Sequence, residues 1–272
     1  MLRQDVEAIS AFLRRDWLLF KSLRLSPVLQ IGSVLFSLAP FFFIGKLVSP
    51  SAPSALVAYG SDYFSFVLLG IAFGRYTTVC VSSLGAALRE EQLQGTLEAL
   101  LLSPASLAAI VLGSVVWPLV WTSIEVALYL LAGFFLFDAK LGHANGLSVL
   151  VVFILGLAGL GGLGLLSSCG ILLFKEADPV TWAMGGLMKF LSGVYFPVTL
   201  LPGWMQLAAA FLPLTYFLDA LRQAILLGKP LSALVQSCST LVVFCVVIWP
   251  VAISVFVWTL RRLRQTGALL FR

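Results

Sequence analysis

The sequence predicts an all-α integral membrane protein with six transmembrane helices, and two observations support this. Of the 272 residues, 60% are hydrophobic and only 11% are charged. Soluble domains carry about a quarter charged residues, and a soluble fold could not cover its surface with fewer than half of them. Apolar runs near or above the roughly 20 residues that cross a bilayer recur along the chain, without the period of two typical of a membrane β-barrel. The runs are 28–48, 62–87, 105–137, 147–173, 180–197 and 232–260.

Residues 1–24 are predicted to form a cytoplasmic amphipathic helix at the membrane interface, ahead of a six-span transmembrane domain over 25–272. Apolar side chains recur there at spacings of three and four, and charged side chains fill the other faces. We expect the basic residues to face lipid head groups, and the helix either anchors the chain or docks a partner. The apolar positions are Leu2, Val6, Ile9, Leu13, Trp17 and Phe20, and the charged ones are Arg3, Asp5, Glu7, Arg14, Arg15 and Lys21.

The basic residues outside the spans predict the orientation of the chain. Eleven Lys and Arg residues belong to the termini and to the loops on one side, and four belong to the loops on the other. Because cytoplasmic loops carry the excess of Lys and Arg, both termini are expected in the cytoplasm. We expect a multi-pass protein of a bacterial-type plasma (inner) membrane.

The loop between spans two and three, REEQLQGTLEALLLSP at 89–104, is more charged than the chain around it. Gly95 interrupts the chain, Thr96 is suited to cap a second short helix over 97–102, and Ser103-Pro104 is suited to begin span three. A bare turn would not need a leucine-rich helix, so this helix must rest on head groups or on another protein. The residues that would form this surface are Glu90, Glu91, Gly95, Thr96, Leu97, Glu98, Leu100 and Leu101.

The loop between spans five and six is too apolar for an ordinary external loop. Pro197, Pro202 and Pro213 forbid one continuous helix across it. Two short helices, at 203–211 and 214–227, that enter the outer leaflet and return satisfy both observations. We therefore expect re-entrant outer half-helices here.

Three ionisable residues, Arg75, Glu125 and Lys189, fall deep within spans. A charge at that depth costs a few kcal/mol even on lenient scales, so each is a functional candidate. Counted at about 1.5 Å per residue, Arg75 and Glu125 lie at similar depth, where they either form a structural ion pair or line a transport path. Lys189 has no obvious partner and faces the path, contacts an anionic group of a substrate, or extends toward the interface.

Six glycines between 156 and 170 predict close packing of span four against its neighbours, and the same role is predicted for Gly185 and Gly186. The four cysteines lie in apolar runs, and the single histidine lies in a predicted loop. No ligand spacing for a metal ion is present. We expect the cysteines to behave as small apolar residues.

Several motifs between residues 89 and 225 resemble, in order, those of the type-2 ABC transporter permeases. The first is Glu90-x-x-x-x-Gly95-Thr96-Leu97-Glu98-x-Leu100-Leu101-x-Ser103-Pro104, followed by Asp178-Pro179 at the entry to span five. The others are Ser192-Gly193-Val194-Tyr195-Phe196-Pro197, Leu201-Pro202, Leu212-Pro213-Leu214-Thr215-Tyr216 and Asp219-Ala220-Leu221-Arg222. The resemblance implies a coupling helix after span two that docks in a cleft of an ATP-binding subunit. It also implies an extracellular cap that is formed by the outer half-helices and includes Asp219 and Arg222.

The resemblance implies the permease subunit of an ABC exporter, which is a transport subunit and not an enzyme. The chain has no Gly-x-x-x-x-Gly-Lys-Ser/Thr loop. ATP-Mg is therefore expected on a separate ABC ATPase subunit, in two copies, with no cofactor on this chain. The expected partners are that ATPase, a second permease (the same chain or a paralogue) and the bilayer, with no nucleic acid.

The implied substrate is amphipathic, lipid-like or drug-like, and moves out of the cytoplasm or the inner leaflet. An ATP-independent secondary carrier or channel is the alternative, although no internal repeat supports it. A lipid-modifying enzyme would need a catalytic constellation that the sequence does not contain. Substrate identity and the choice between homodimer and heterodimer stay open.

Overall fold

The computed structural model describes residues 2–22, 26–48, 56, 59–60, 62–96, 106–141, 144–174 and 178–266. Within these ranges the regular structure is helical, without strands. The α-helices are α1 (Leu2–Ser22), α2 (Ser26–Val48), α3 (Tyr63–Gln94), α4 (Leu107–Phe137), α5 (Gly146–Phe174), α6 (Asp178–Leu191), α7 (Gly203–Ala210), α8 (Pro213–Leu226) and α9 (Val235–Thr266). Short 3₁₀ turns at Val198–Leu200 and Leu231–Leu234 precede α7 and α9.

Four long apolar helices identify a multi-pass membrane protein. In the described part of the chain, Tyr63–Gln94, Ala108–Phe137, Gly146–Leu173 and Leu231–Arg262 are long and apolar enough to cross a bilayer. Helices α7 and α8 meet at 88° and together meet the same criterion, as a broken span or a re-entrant loop. The apolar part of α2, Gly32–Leu47, is shorter, and α6 has 14 residues. The multi-pass character is confirmed, and the six-span arrangement stays a prediction.

Helix α3 lies at the centre of the bundle, against α4, α5, α6, α8 and α2. A Cβ atom at Gly164 of α5 would overlap the carbonyl group of Cys80, so α3 and α5 meet backbone to backbone. The close packing predicted for the glycines of span four is therefore confirmed. Gly185 and Gly186 differ, because a Cβ atom at either one would meet no described atom within 4 Å. Their predicted role in packing stays a prediction.

The two ends of the bundle differ in chemistry. We call one end the basic end: it contains α1, the last turns of α3, the start of α4 and the last turns of α9. An apolar cluster that includes Leu84, Leu165 and Phe256 fills the interior there. The opposite end, the cap end, contains α7, α8, the described residues just before α3 (59–60 and 62) and the turn that joins α6 to α7. The larger apolar cluster extends from the middle of the bundle toward the cap end.

Two predicted helix boundaries are wrong. Helix α6 ends at Leu191 and not at 197, because Gly193 adopts a left-handed φ of +76° and turns the chain away. Helix α4 begins at Leu107 rather than at Ser103-Pro104. Its N-cap is Ser106, whose side-chain oxygen accepts a hydrogen bond from the Ala109 amide at 3.2 Å.

Candidate functional site

At the basic end, α1 is fixed along the first half of α4. The Asp5 carboxylate accepts a hydrogen bond from the Ser106 amide at 2.9 Å, which places a negative charge at the positive end of the α4 dipole. Hydrogen bonds from the backbone and hydroxyl group of Ser106 lower the pKa of Asp5. Further along α1, the Phe20 ring packs on Trp121 with centroids 4.5 Å apart. Helix α1 is therefore attached at both of its ends.

An ion pair joins α1 to the end of α3. Arg15 Nη1 donates to Glu91 Oε1 at 2.9 Å, and Arg15 Nε donates to Asp16 at 3.0 Å. This arginine was expected to face head groups, whereas the structure pairs it with a residue of the predicted coupling stretch. Glu91 also accepts a hydrogen bond from the Thr96 hydroxyl. The carboxylate of Glu91 thus connects α1, α3 and the turn that follows α3.

The end of α3 is built as a defined stop. Gly95 adopts a left-handed φ of +73°, its amide donates to Gln92 O at 3.3 Å, and the Thr96 amide donates to Glu91 O at 2.9 Å. Gln94 Nε2 donates to Glu90 Oε1 at 3.2 Å. The interruption predicted at Gly95 is present as the end of α3. Leu97, Glu98, Leu100 and Leu101, which complete the predicted coupling helix, lie outside the described residues.

Between the two ends of the bundle, at a level that we call mid-depth, the structure brings Arg75 and Glu125 together. Arg75 Nη2 and Nε donate to Glu125 Oε2 at 2.7 and 3.1 Å, and Trp121 Nε1 donates to Glu125 Oε1 at 3.1 Å. The Glu125 side chain is 6% exposed, whereas that of Arg75 is 39% exposed. Both carboxylate oxygens are therefore bonded, and the guanidinium is the accessible half of the pair.

Lys189, the third charge that the sequence predicts within a span, lies in the last turn of α6 and is partly buried. Within the described part of the chain, no carboxylate lies within ion-pair distance of its ammonium group. The charged group that acts on it is Arg75, and the effect is repulsive. Helix α6 packs against α3, the helix of Arg75, so packing and repulsion both place a second cation near the Arg75–Glu125 pair.

At the cap end, Arg222 fastens α8 to the rest of the bundle. Its guanidinium is buried and donates to Phe66 O at 3.1 Å, Gly193 O at 2.9 Å and Val194 O at 3.1 Å. It also lies 3.5 Å from the centroid of the Phe66 ring. A single side chain therefore joins α8 to α3 and to the turn after α6.

Asp219, one turn before Arg222, holds the turn that precedes α3. It accepts hydrogen bonds from the Tyr59 hydroxyl at 2.6 Å and from Gln223 Nε2 at 2.9 Å. Burial, together with the charge of Asp219, raises the pKa of Tyr59. The predicted prolines begin successive elements: Pro197 precedes the 3₁₀ turn, Pro202 precedes α7, and Pro213 is the first residue of α8.

Three residues that contribute to these contacts were not predicted from the sequence as site residues: Arg15, Trp121 and Tyr59. Trp121 could have been found, because it lies four residues before Glu125 on the same helix face. The ion-pair role of Arg15 was hidden because a basic residue on an interfacial helix is ordinarily a contact for head groups. Tyr59 has no local signal, since its partner Asp219 is 160 residues away.

The chain matches a known family across these sites. The family described as ABC-2 type transporter matches residues 7–226. Nodulation protein J of Rhizobium leguminosarum bv. trifolii is 31% identical over 197 residues, which cover 69% of this chain and 71% of that protein. Nodulation protein J of Rhizobium meliloti (strain 1021) is 28% identical over 227 residues, which cover 80% of each chain. The matched region contains the stop at Gly95, the Arg75–Glu125 pair and the Arg222 contacts, and the chain belongs to the ABC-2 type transporter family of membrane-spanning transport subunits.

Proposed function

We propose that this chain is the permease subunit of an ATP-driven exporter that moves an amphipathic, lipid-like or drug-like substrate out of the cytoplasm or inner leaflet. The basic end faces the cytoplasm, and both termini lie there. Helices α2, α3, α4, α5, α6 and α9 are the six spans, and α7 and α8 form the re-entrant cap. ATP-Mg is bound by two copies of a separate ATPase, and the permease pairs with a second copy or a paralogue.

The observation that carries this proposal is the construction of the α3 end. Helix α3 has 32 residues, so it is about 48 Å long, whereas the hydrocarbon core is about 30 Å thick. Its surplus length extends at the basic end, stops at Gly95 and is tied to α1 by the Arg15–Glu91 pair. A helix held in this way can pass a rigid-body displacement from a docked ATPase into the bundle.

The same feature argues against an ATP-independent carrier or channel. A carrier needs no rigid element outside the membrane, and a plain connection would be enough to join α3 to α4. Here the last turn of α3 is anchored by another helix and carries the acidic pair Glu90 and Glu91. Charges outside the bilayer cost little in membrane insertion and are suited to a protein partner.

The test measures ATP hydrolysis and transport together, in inverted vesicles that contain the chain and a co-purified ATPase. The transport probe is a fluorescent phospholipid analogue. We expect deletion of Gly95, or replacement of Glu98, to reduce transport more than tenfold while ATP hydrolysis and membrane insertion persist. Deletion of Gly228, which is also left-handed at φ +63° but lies beyond α8 at the cap end, is the matched control. Its variant should keep transport coupled to ATP hydrolysis.

Two results would overturn the proposal. One is purification of the intact chain without any ATPase partner, combined with transport that survives ATP depletion. The other is a Gly95 deletion that behaves like the Gly228 deletion. In the first case the ATP-independent carrier or channel becomes the better description.

A further inference from the structure

The charges at mid-depth do not balance within the described part of the chain. Arg75 and Lys189 are both cationic, and Glu125 is the acidic residue that the structure brings to them. Both oxygens of Glu125 are already bonded to Arg75 and Trp121. Arg75 Nη1 and the Lys189 ammonium group have no bonding partner among the described residues. One net positive charge is therefore left at a depth where charge is costly.

These cations border a face of α6 that the described residues leave uncovered. Leu187 and Phe190 are exposed, and the space beside Gly186 is open. Lys189 lies at the edge of this face, next to Phe190. An uncovered apolar face with a cation at its edge is matched by a molecule that has an apolar part and an anionic group.

Helix α3 adds a polar line that leads from the basic end toward Arg75. Thr78 and Ser82 lie on the same helix face as Arg75, three and seven residues further along. The Thr78 hydroxyl is buried and has no hydrogen-bond partner among the described residues. Buried hydroxyl groups without partners are uncommon in folded proteins. Thr78 thus adds an unsatisfied polar group one helical turn from Arg75.

We propose that Lys189 and Arg75 form a binding site for the anionic group, a phosphate or a carboxylate, of an amphipathic molecule whose apolar part lies against α6. The anion supplies the charge that Glu125 cannot, because the single negative charge of that carboxylate is already balanced by Arg75. A cationic ligand would be repelled by both groups. A neutral ligand would leave the net charge uncompensated.

As an assignment of substrate class, this inference rests on the proposed export function, but binding can be measured without any ATPase. The purified chain in a neutral detergent is titrated with dodecyl phosphate, dodecylphosphocholine, dodecyltrimethylammonium and inorganic phosphate. Binding is followed by native mass spectrometry and by the rise in melting temperature that a ligand specific for the folded state produces. We expect dodecyl phosphate to bind at least tenfold more tightly than dodecylphosphocholine, which has the same alkyl chain.

Variants then assign the binding to the site. Lys189→Gln should remove the preference for dodecyl phosphate, and Lys189→Arg should restore most of it. Lys140→Gln, which removes an exposed cation at the cap end, should leave the preference unchanged. Gly186→Leu fills the open space beside Lys189 without changing any charge and should also weaken binding. This second variant keeps the test decisive if Lys189→Gln fails to fold.

The remaining outcomes are distinct. If inorganic phosphate displaces bound dodecyl phosphate, the site binds a free anion and the alkyl chain is not required. If only an alkyl phosphate displaces it, the site binds an anionic head group. An unchanged preference for dodecyl phosphate in Lys189→Gln, or, where that variant does not fold, undiminished binding in Gly186→Leu, would overturn the inference. That result would leave the export proposal standing, because ATP-coupled transport is measured separately.

Discussion

Replacement of Arg222 gives the sharpest test of how the cap end is held. Its guanidinium bonds three backbone carbonyl groups, on Phe66, Gly193 and Val194, and stacks on the Phe66 ring. In Arg222→Ala these acceptors lose their donor and a cavity forms. In Arg222→Lys the charge is kept, but an ammonium group cannot reproduce a planar fork that bonds three separate carbonyl groups.

The expected cost follows from the contacts. The Phe66 carbonyl belongs to α3, whereas those of Gly193 and Val194 lie in a turn, so two acceptors are left largely unsatisfied. A buried unsatisfied acceptor costs roughly 1–3 kcal/mol, and a desolvated cation–π contact is worth about 2 kcal/mol. Relief from burying the charge offsets part of this sum. We expect Arg222→Ala to cost about 4 kcal/mol in free energy of unfolding and Arg222→Lys about 2 kcal/mol.

Gly70 gives an independent way to disturb the same contacts. A Cβ atom there would overlap the Val194 carbonyl group and lie 2.5 Å from Arg222 Nη2. Gly70→Ala should therefore displace the turn at roughly 1–3 kcal/mol, the usual cost of overpacking. Gly32→Ala is the matched control, because the added methyl group would meet no described atom within 4 Å.

The assay is thermal unfolding in detergent, followed by size-exclusion fluorescence, with limited proteolysis across residues 192–202 as a local reading. We expect melting temperatures in the order wild type, Arg222→Lys, Arg222→Ala, and faster cleavage of the turn in each variant. The reasoning is refuted if Arg222→Ala has the same melting temperature as the wild type, or if Gly70→Ala is as stable as Gly32→Ala.

Three further predictions concern the other contacts. A double-mutant cycle of Arg75→Gln and Glu125→Gln should give a coupling energy of about 2 kcal/mol. This is half of the roughly 4 kcal/mol expected for an ion pair at an effective dielectric of 20, because Arg75 is partly exposed. A coupling energy below about 0.5 kcal/mol, or a charge swap that fails to rescue either single reversal, would contradict the ion pair. Arg15→Gln and Glu91→Gln should each cost less than about 1 kcal/mol in stability, since the Arg15 side chain is 46% exposed. Each should nevertheless reduce ATP-coupled transport. Unchanged coupling would contradict the proposal that this ion pair helps to pass motion from the ATPase into the bundle. Hydrogen bonds lower the pKa of Asp5, so its stabilising contribution is present above the ordinary pKa of 3.8 and is lost as the pH falls through the lowered pKa of the folded state. We therefore expect α1 to detach from α4 in acid, as measured by tryptophan fluorescence, and Asp5→Asn should remove this pH dependence.

Local backbone chemistry made the cap and the α3 stop predictable. Pro202 and Pro213 each forbid helix continuation, and the observed α7 and α8 begin where the prolines require. Gly95 ends α3 because a left-handed residue is needed there. The Arg75–Glu125 contact was open to prediction because two consecutive antiparallel spans fix the depth of each residue from a simple count.

Contacts between distant segments were not predictable in the same way. The Arg15–Glu91 pair depends on how α1 lies over α4, and the amphipathic pattern of α1 is equally compatible with a helix on bare membrane. The end of α6 was missed because apolar residues continue past Leu191, whereas the chain turns at the left-handed Gly193 and the next carbonyl, that of Val194, lies against Gly70. Both errors arise where tertiary contacts override a local pattern.

The three sites share one structural element, and this bears on how a signal could pass between them. Helix α3 contributes Glu91 at the basic end, Arg75 at mid-depth and the Phe66 carbonyl to Arg222 at the cap end. Glu91 and Phe66 are 25 residues apart, about 38 Å along the axis, and no proline interrupts the helix between them. Helix α3 is continuous from Tyr63 to Gln94, so it is expected to move as one rod. A displacement applied at Glu91 would then reach Arg75 and the cap end together, which would couple the proposed anion site to both ends of the bundle without a separate relay.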